Sequence, residues 1–215
     1  MAFYLDSADL SQAQAAMDWG WVHGITTNPT LMAQQSQSPE QILAQLRRIC
    51  RGELYYQLMA PDLPQMIREA HLAYDIVGPQ LVLKIPATHH GFRAVAQLAP
   101  RMTCSVTGIY SAAQAAIAQA AGATYAIAYV NRATRLLGNG IELVQGMAQV
   151  LAGTKTQILA ASLKSSEEAV AARIAGAKHL TLPYDLLKTL ADHPLSEQTA
   201  AAFHQSGRGL NLETH

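Results

Sequence analysis

The sequence predicts an α/β protein, a single (β/α)8 barrel of the TIM type with an extra C-terminal helix. Three observations predict it. Eight short β-like runs alternate with amphipathic, alanine-rich helical patterns along the chain. No linker or low-complexity segment interrupts them, so residues 1–215 read as one domain whose last helix falls at about 195–206. The length of 215 residues lies at the small end of that fold's range, about 200 to over 400. An open parallel sheet with fewer true strands is the alternative.

The β-like runs are Phe3–Asp6, Gly24–Thr27, Leu54–Met59, Leu81–Ile85, Thr103–Thr107, Tyr125–Val130, Gln157–Ala161 and His179–Leu182. Helical patterns lie between them at Ser7–Trp19, Pro39–Ile49, Asp62–Ile76, His90–Leu98, Ser111–Ala121, Ile141–Leu151 and Ser165–Ala175, and Pro183–Leu190 and Glu197–Gln205 close the chain. Ser111 and Ser165 read as N-caps, and Ser165 has Glu168 three residues later, a capping box. Gly20, Gly122 and Gly176 follow helices where the chain often needs a positive φ. Strands alternating with helices imply parallel pairing and right-handed crossovers. No Gly-rich dinucleotide loop follows a strand, and no P-loop pattern occurs.

Composition narrows the function. Hydrophobic residues make up 50%, and fifteen basic residues balance fifteen acidic ones. Without a basic run, nucleic acid is not an expected partner. The longest uncharged stretch, 102–131, is broken by Gly108 and Gly122 and reads as strand, helix, strand rather than a membrane span. Cys50 and Cys104 form neither a metal-ligand pair nor a disulfide framework, which suits a reducing compartment. With no secretory pattern at the N-terminus, the expected location is cytoplasmic. His89-His90 has no Asp or Glu at ligand spacing, so no metal site is expected.

Lys84 stands out. It lies inside Leu81-Val82-Leu83-Lys84-Ile85-Pro86, an apolar run flanked by Gly78-Pro79. Lysine is almost never fully buried without a reason. Desolvation disfavours its charged form, and a neutral amine attacks carbonyls. The competing reading is a strand-end lysine that reaches solvent or pairs with a carboxylate. In a barrel the site lies at the C-terminal strand ends, and side chains alternate with period two. The last inward positions are then Asp6, Thr26 with Asn28 beyond it, Gln57, Lys84, Ser105 and Thr107, Tyr129 with Arg132 beyond it, and Ser162. Each has a structural reading by itself: Asp6 as a helix cap, Asn28-Pro29 as a turn, Gln57 and Tyr129 as core residues. Polar groups from seven strands converging on one lysine are instead what a small-molecule site requires.

Tyr4-Leu5-Asp6, Gly24-Ile25-Thr26-Thr27-Asn28-Pro29-Thr30, Leu83-Lys84-Ile85-Pro86, Tyr129-Val130-Asn131-Arg132 and Leu159-Ala160-Ala161-Ser162 occur in that order. With these blocks the chain resembles the transaldolase family, specifically its small fructose-6-phosphate aldolase branch, from the first strand to about Ser206. The resemblance implies a (β/α)8 barrel with a Schiff-base lysine on the fourth strand, here Lys84. It implies that Asp6 handles protons and substrate hydroxyls, that Thr26 and Asn28 lie around the donor, and that Arg132 and Ser162 hold a sugar phosphate. An arginine fork suits phosphate geometry. Family transaldolases typically carry glutamate where this chain has Gln57 and phenylalanine where it has Tyr129. The aldolase branch has glutamine and tyrosine there. With Thr107 these would hold a catalytic water, Tyr129 acting as general acid and base. Two departures concern the donor. Ala128 replaces a frequent proline, and Ser105, Val106 and Gly108 differ where the donor pocket is shaped.

The resemblance thus implies a metal- and cofactor-free aldolase acting on a ketose phosphate, assembled as pentamers paired into decamers through the C-terminal helix. Transaldolase activity, which passes the same enamine to an aldose phosphate, is one alternative. A non-catalytic sugar-phosphate-binding barrel is another.

Overall fold

The structure, a computed structural model, describes residues 1–210. Residues 211–215, the end of the expected domain, lie outside the described residues. The strands are β1 (Ala2–Asp6), β2 (Val22–Thr26), β3 (Leu54–Gln57), β4 (Leu81–Pro86), β5 (Thr103–Ile109), β6 (Tyr125–Tyr129), β7 (Gln157–Ala161) and β8 (His179–Leu182). All pair in parallel, in sequence order, and close into a barrel when β8 meets β1. The helices are α1 (Leu10–Asp18), α2 (Pro29–Ala33), α3 (Pro39–Ile49), α4 (Leu63–Val77), α5 (His89–Leu98), α6 (Ala112–Ala120), α7 (Val130–Leu137), α8 (Gly140–Val150), α9 (Ser166–Ile174), α10 (Tyr184–Ala191) and α11 (Pro194–Ser206). Among the described residues no helix is long and apolar enough to cross a membrane.

The period of two divides each strand between two cores. Outward residues such as Leu5, Ile25, Leu83 and Val106 pack with the helices in a continuous outer layer. Inward residues Tyr4, Tyr55, Val82, Tyr125, Ile127 and Leu159 fill the lumen. β4 is buried at five successive positions, which is why it reads as an uninterrupted apolar run.

Local chemistry sets the boundaries. Asp9 caps α1 by accepting the Gln12 N–H at 2.9 Å, so the helix starts at Leu10 rather than Ser7. Ser111 and Ser165 are N-caps as predicted. The predicted capping box at Ser165 is only half formed. Ser165 accepts the Glu168 N–H at 3.1 Å, but the Glu168 carboxylate takes the Lys164 N–H at 2.7 Å and the Asn131 side-chain N–H at 3.2 Å. Gly20, Gly122 and Gly176 have positive φ, as their positions require. In β5, Gly108 adopts φ 71° where the register to β6 shifts, so the strand bulges just beyond Thr107.

The N-terminal end of the lumen is closed by a polar cluster that the sequence did not announce. Glu53, one residue before β3, accepts hydrogen bonds from Tyr4 at 2.6 Å, Tyr55 at 3.1 Å and Tyr125 at 2.8 Å. The His179 ring lies edge-on to Tyr4 and Tyr125. Its Nε2 meets Gln157 Oε1, and its buried Nδ1 has no partner.

Candidate active site

At the C-terminal end of the barrel, Lys84 is only 3% exposed. Its Nζ donates to the Thr27 carbonyl oxygen at 2.8 Å, and among the described residues no carboxylate lies within ion-pair distance. Burial pulls the amine's pKa below its ordinary value, and the charge of Asp6 opposes this. The lysine neither reaches solvent nor forms an ion pair, so the competing readings of the sequence do not hold.

Asp6 ends β1 beside Thr26 of β2. The Thr26 hydroxyl donates to Asp6 Oδ1 at 3.0 Å and lies 2.6 Å from the Thr181 hydroxyl. A threonine has one hydroxyl proton. Since Thr26 gives its proton to Asp6, Thr181 donates to Thr26, and two hydroxyls in series fix the carboxylate. Asp6 is free for this arrangement because Asp9 caps the following helix. Sequence reasoning missed Thr181. The available signal was its inward parity with His179 in β8.

Gln57 stands opposite Lys84 in the β3–β4 register. Its Oε1 is buried without a partner. The Thr107 hydroxyl donates to the Tyr129 oxygen at 3.0 Å, which brings that predicted pair together; Gln57 is not hydrogen-bonded to either. Burial pushes the Tyr129 phenol above its ordinary pKa, the Thr107 hydrogen bond and the Arg132 charge pull it down, and Asp6 adds to the rise. The phenol at this position is therefore not tuned downward.

Arg132, in the first turn of α7, places its guanidinium 4.9 Å from the Tyr129 ring centroid. Tyr110 approaches the same ring edge-on at 6.4 Å. Ser162 follows β7 at φ 59°, the one non-glycine positive φ among the described residues. Such a backbone costs about 1–3 kcal/mol and tends to persist at functional sites. The Ser162 carbonyl accepts the Asn131 N–H at 3.1 Å, so Ser162 and Arg132 share one loop junction. Asn28 caps α2 by accepting the Leu31 N–H at 3.0 Å, which leaves its side-chain amide protons for a ligand. Ser105 stands next to Lys84 in the β4–β5 register. It is buried beside Lys84, and its hydroxyl donates to the Leu83 carbonyl at 2.8 Å.

The fold and the site define a class: a barrel enzyme with a buried amine at its mouth, set among a carboxylate, hydroxyls, a phenol and an arginine. The comparisons make this particular. The profile of the Transaldolase/Fructose-6-phosphate aldolase family matches residues 3–213, and the chain belongs to that family. A probable transaldolase of Alkaliphilus metalliredigens is 31% identical over 215 residues, covering 98% of this chain and 99% of its own. One of Anaeromyxobacter dehalogenans is 34% identical over 200 residues, covering 92% of each. Among solved structures, orotidine 5'-monophosphate decarboxylase from Metallosphaera sedula superposes with a TM-score of 0.63 at 12% identity, over 95% of this chain and 98% of its own. Thiamine phosphate pyrophosphorylase from Pyrococcus furiosus gives 0.62 at 14%, over 88% and 93%. At those identities the likeness concerns the fold alone. Family membership makes this chain an enzyme of the aldolase or transaldolase type.

Proposed function

We propose that this protein is a Schiff-base aldolase that cleaves or forms the C3–C4 bond of a ketose phosphate, converting fructose 6-phosphate to dihydroxyacetone and glyceraldehyde 3-phosphate. The observation that carries it is Lys84, desolvated at the mouth with a lowered pKa. Its neutral amine adds to the C2 carbonyl and water leaves, giving an iminium. Tyr129 takes the proton of the C4 hydroxyl. Its raised pKa keeps it protonated at rest, so it gives up its own proton to a water shared with Thr107 and Gln57 as it accepts the new one. The C3–C4 electron pair moves into the enamine and the aldehyde departs. The proton returns to C3, water adds to the iminium, and dihydroxyacetone leaves Lys84. One water is lost and one regained, so the overall reaction is a cleavage without a cofactor. Asp6 orients substrate hydroxyls, Thr26 and Asn28 flank the donor, Ser105 shapes the donor side, and Arg132 with Ser162 holds the phosphate.

Transfer of the enamine to an aldose phosphate is the second reading, and the relatives' description as probable transaldolases favours it. Gln57 and Tyr129 favour the proton as the acceptor. Product analysis separates them. Dihydroxyacetone released from fructose 6-phosphate alone supports the aldolase, whereas strict dependence on erythrose 4-phosphate supports transfer. Borohydride reduction with substrate must leave an adduct on Lys84; an unmodified enzyme means a barrel that binds sugar phosphates without imine chemistry.

We further propose a cytoplasmic homo-oligomer, a pentamer or decamer, as the resemblance implies. Two buried free thiols suit a reducing compartment. Helix α11 has no buried residue, and Leu195 and Phe203 are 64% and 70% exposed, as expected of a helix that docks on another copy. Light scattering of the full chain, and of a chain ending before Pro194, tests this: the truncated chain should be a smaller species.

A further inference from the structure

The two residues assigned to the phosphate come from different strand ends. Arg132 lies in the first turn of α7, which follows Tyr129 of β6 directly and has no side-chain N-cap. Its guanidinium forms no ion pair among the described residues. Ser162 lies just past β7 at φ 59°, a strained conformation for a serine. None of these features fixes how far Arg132 stands from Ser162.

That constraint comes from α9. Glu168 is its third residue, where a capping-box glutamate would turn back to the N–H of the Ser165 cap. Instead, one carboxylate oxygen accepts the Lys164 N–H at 2.7 Å, and the other accepts the Asn131 side-chain amide at 3.2 Å, across 37 residues of sequence. The Asn131 backbone N–H in turn reaches the Ser162 carbonyl at 3.1 Å. Asn131 precedes Arg132, and Lys164 follows Ser162 in the same loop. The half-buried pair of Asn131 and Glu168 therefore ties the β6–α7 junction to the β7–α9 loop, beside both anion holders. A carboxylate this close to a phosphate opposes it through charge. The hydrogen bonds it makes give it a geometric reason to be there.

We infer that Glu168 and Asn131 are positioning residues that set the span between Arg132 and Ser162, and thereby determine selectivity for phosphorylated over unphosphorylated substrates. They act through the backbone of the two loops and not by touching the substrate. The inference rests on the phosphate reading above, and adds to it the residues that hold the anion cradle in shape. Charge and geometry predict opposite signs. A Glu168 acting through its charge would weaken phosphate binding, so its removal would strengthen it. A Glu168 acting as a tie strengthens phosphate binding, so its removal weakens it.

The test measures kcat/KM of the full chain for glyceraldehyde 3-phosphate and for glyceraldehyde, with dihydroxyacetone as donor, and reads their ratio. In Glu168→Ala and in Asn131→Ala the ratio should fall about tenfold, through KM of the phosphorylated acceptor more than through kcat. The double variant should lose no more than either single one, because both cut the same link. Glu168→Gln should hold the ratio at the parent's value or above. Its amide oxygen takes the Lys164 N–H, its amide nitrogen donates to Asn131 Oδ1 once that side chain turns over, and the negative charge is gone. Borohydride trapping of dihydroxyacetone on Lys84 reports that each variant folds; if Glu168→Ala does not, Asn131→Ala and Glu168→Gln carry the test. A ratio that rises in Glu168→Ala, that falls as far in Glu168→Gln as in Asn131→Ala, or that falls additively in the double variant overturns the inference. So does a ratio that falls in Arg132→Ala but holds in Glu168→Ala and Asn131→Ala, which leaves the phosphate reading standing. A parent without preference for the phosphorylated acceptor, or an Arg132→Ala enzyme with the parent's ratio, overturns the phosphate reading and the inference with it.

Discussion

The two ends of the barrel lumen are built from the same strands and differ in how far their polar groups satisfy one another. β1 supplies Tyr4 to the floor and Asp6 to the mouth; β3 supplies Tyr55 and Gln57; β6 supplies Tyr125 and Tyr129. These residues share one strand face two or four positions apart. At the floor, three phenols spend their protons on the single Glu53 carboxylate. Burial first, with Glu53 adding to it, pushes Tyr4 and Tyr55 far up and Tyr125 to about 12, so all three phenols stay neutral. At the mouth the pairing is incomplete. Lys84 holds only a backbone carbonyl, Gln57 Oε1 has no donor, and the Tyr129 oxygen accepts from Thr107 without committing its own proton among the described residues. A buried network that closes on itself rigidifies a fold, whereas one with spare donors and acceptors is arranged for a ligand.

Substitutions at the two ends should therefore separate activity from stability. Lys84→Met is the largest break. Turnover should fall at least about 10³-fold, equivalent to about 4 kcal/mol of barrier, while denaturant midpoints hold or rise because a desolvated amine is replaced by an apolar side chain of similar volume. A marked loss of stability would place Lys84 with the floor instead. Tyr129→Phe should lower kcat by about 10² to 10³ and move KM far less, since the phenol acts on the proton in flight; equal changes in both would make it a binding group. Glu53→Ala should do the reverse. Leaving three tyrosine hydroxyls without their shared acceptor should cost about 2–4 kcal/mol in urea unfolding, with Lys84 still trapped by borohydride.

His179 sharpens the contrast through pH. Burial lowers its pKa to about 4, and its neutral ring has an unpartnered Nδ1. An unfolded histidine binds a proton near 6.5. Between those values the unfolded state holds more protons, so stability should fall as pH drops from about 6.5 to about 4, by on the order of 2 kcal/mol, with no such contribution above pH 7. Unfolding curves of the parent and of His179→Gln at pH 7 and 4.5 should show a shallower loss in the variant. Thr181→Val is the mildest test. Removing the outer hydroxyl of the Thr181–Thr26–Asp6 series should cost about tenfold or less in kcat/KM and about 1 kcal/mol of stability. Thr181→Ser should restore the activity, which a purely packing role would not allow.

Much of this was legible in the sequence. Strand spacing gave the barrel, the helix-following glycines took positive φ as required, and Lys84 stood out because β4 is apolar on both faces. The misses have physical reasons. α2 is five residues long, too short for a 3.6-residue period to emerge, and Asn28-Pro29 equally describes a turn; α7 follows directly on Tyr129 of β6 with no side-chain cap to mark its start. Glu168 had the spacing of a capping box, but its carboxylate found a backbone N–H and Asn131 instead.

The sequence by itself determined the elements, their order and which face each side chain takes, because periods of two and 3.6 are local properties of the backbone. It thereby placed Lys84, Asp6, Gln57 and Tyr129 on inward faces at one end. Only the tertiary structure decided what those groups touch. The carbonyl that holds Lys84 is 57 residues away in sequence, Tyr125 is 72 residues from Glu53, and Thr181 reaches Thr26 across 155. Such partners are chosen by the stagger of strands closing a barrel and by the loops that cross its ends. That choice gathers the three floor phenols on Glu53 and leaves the mouth open.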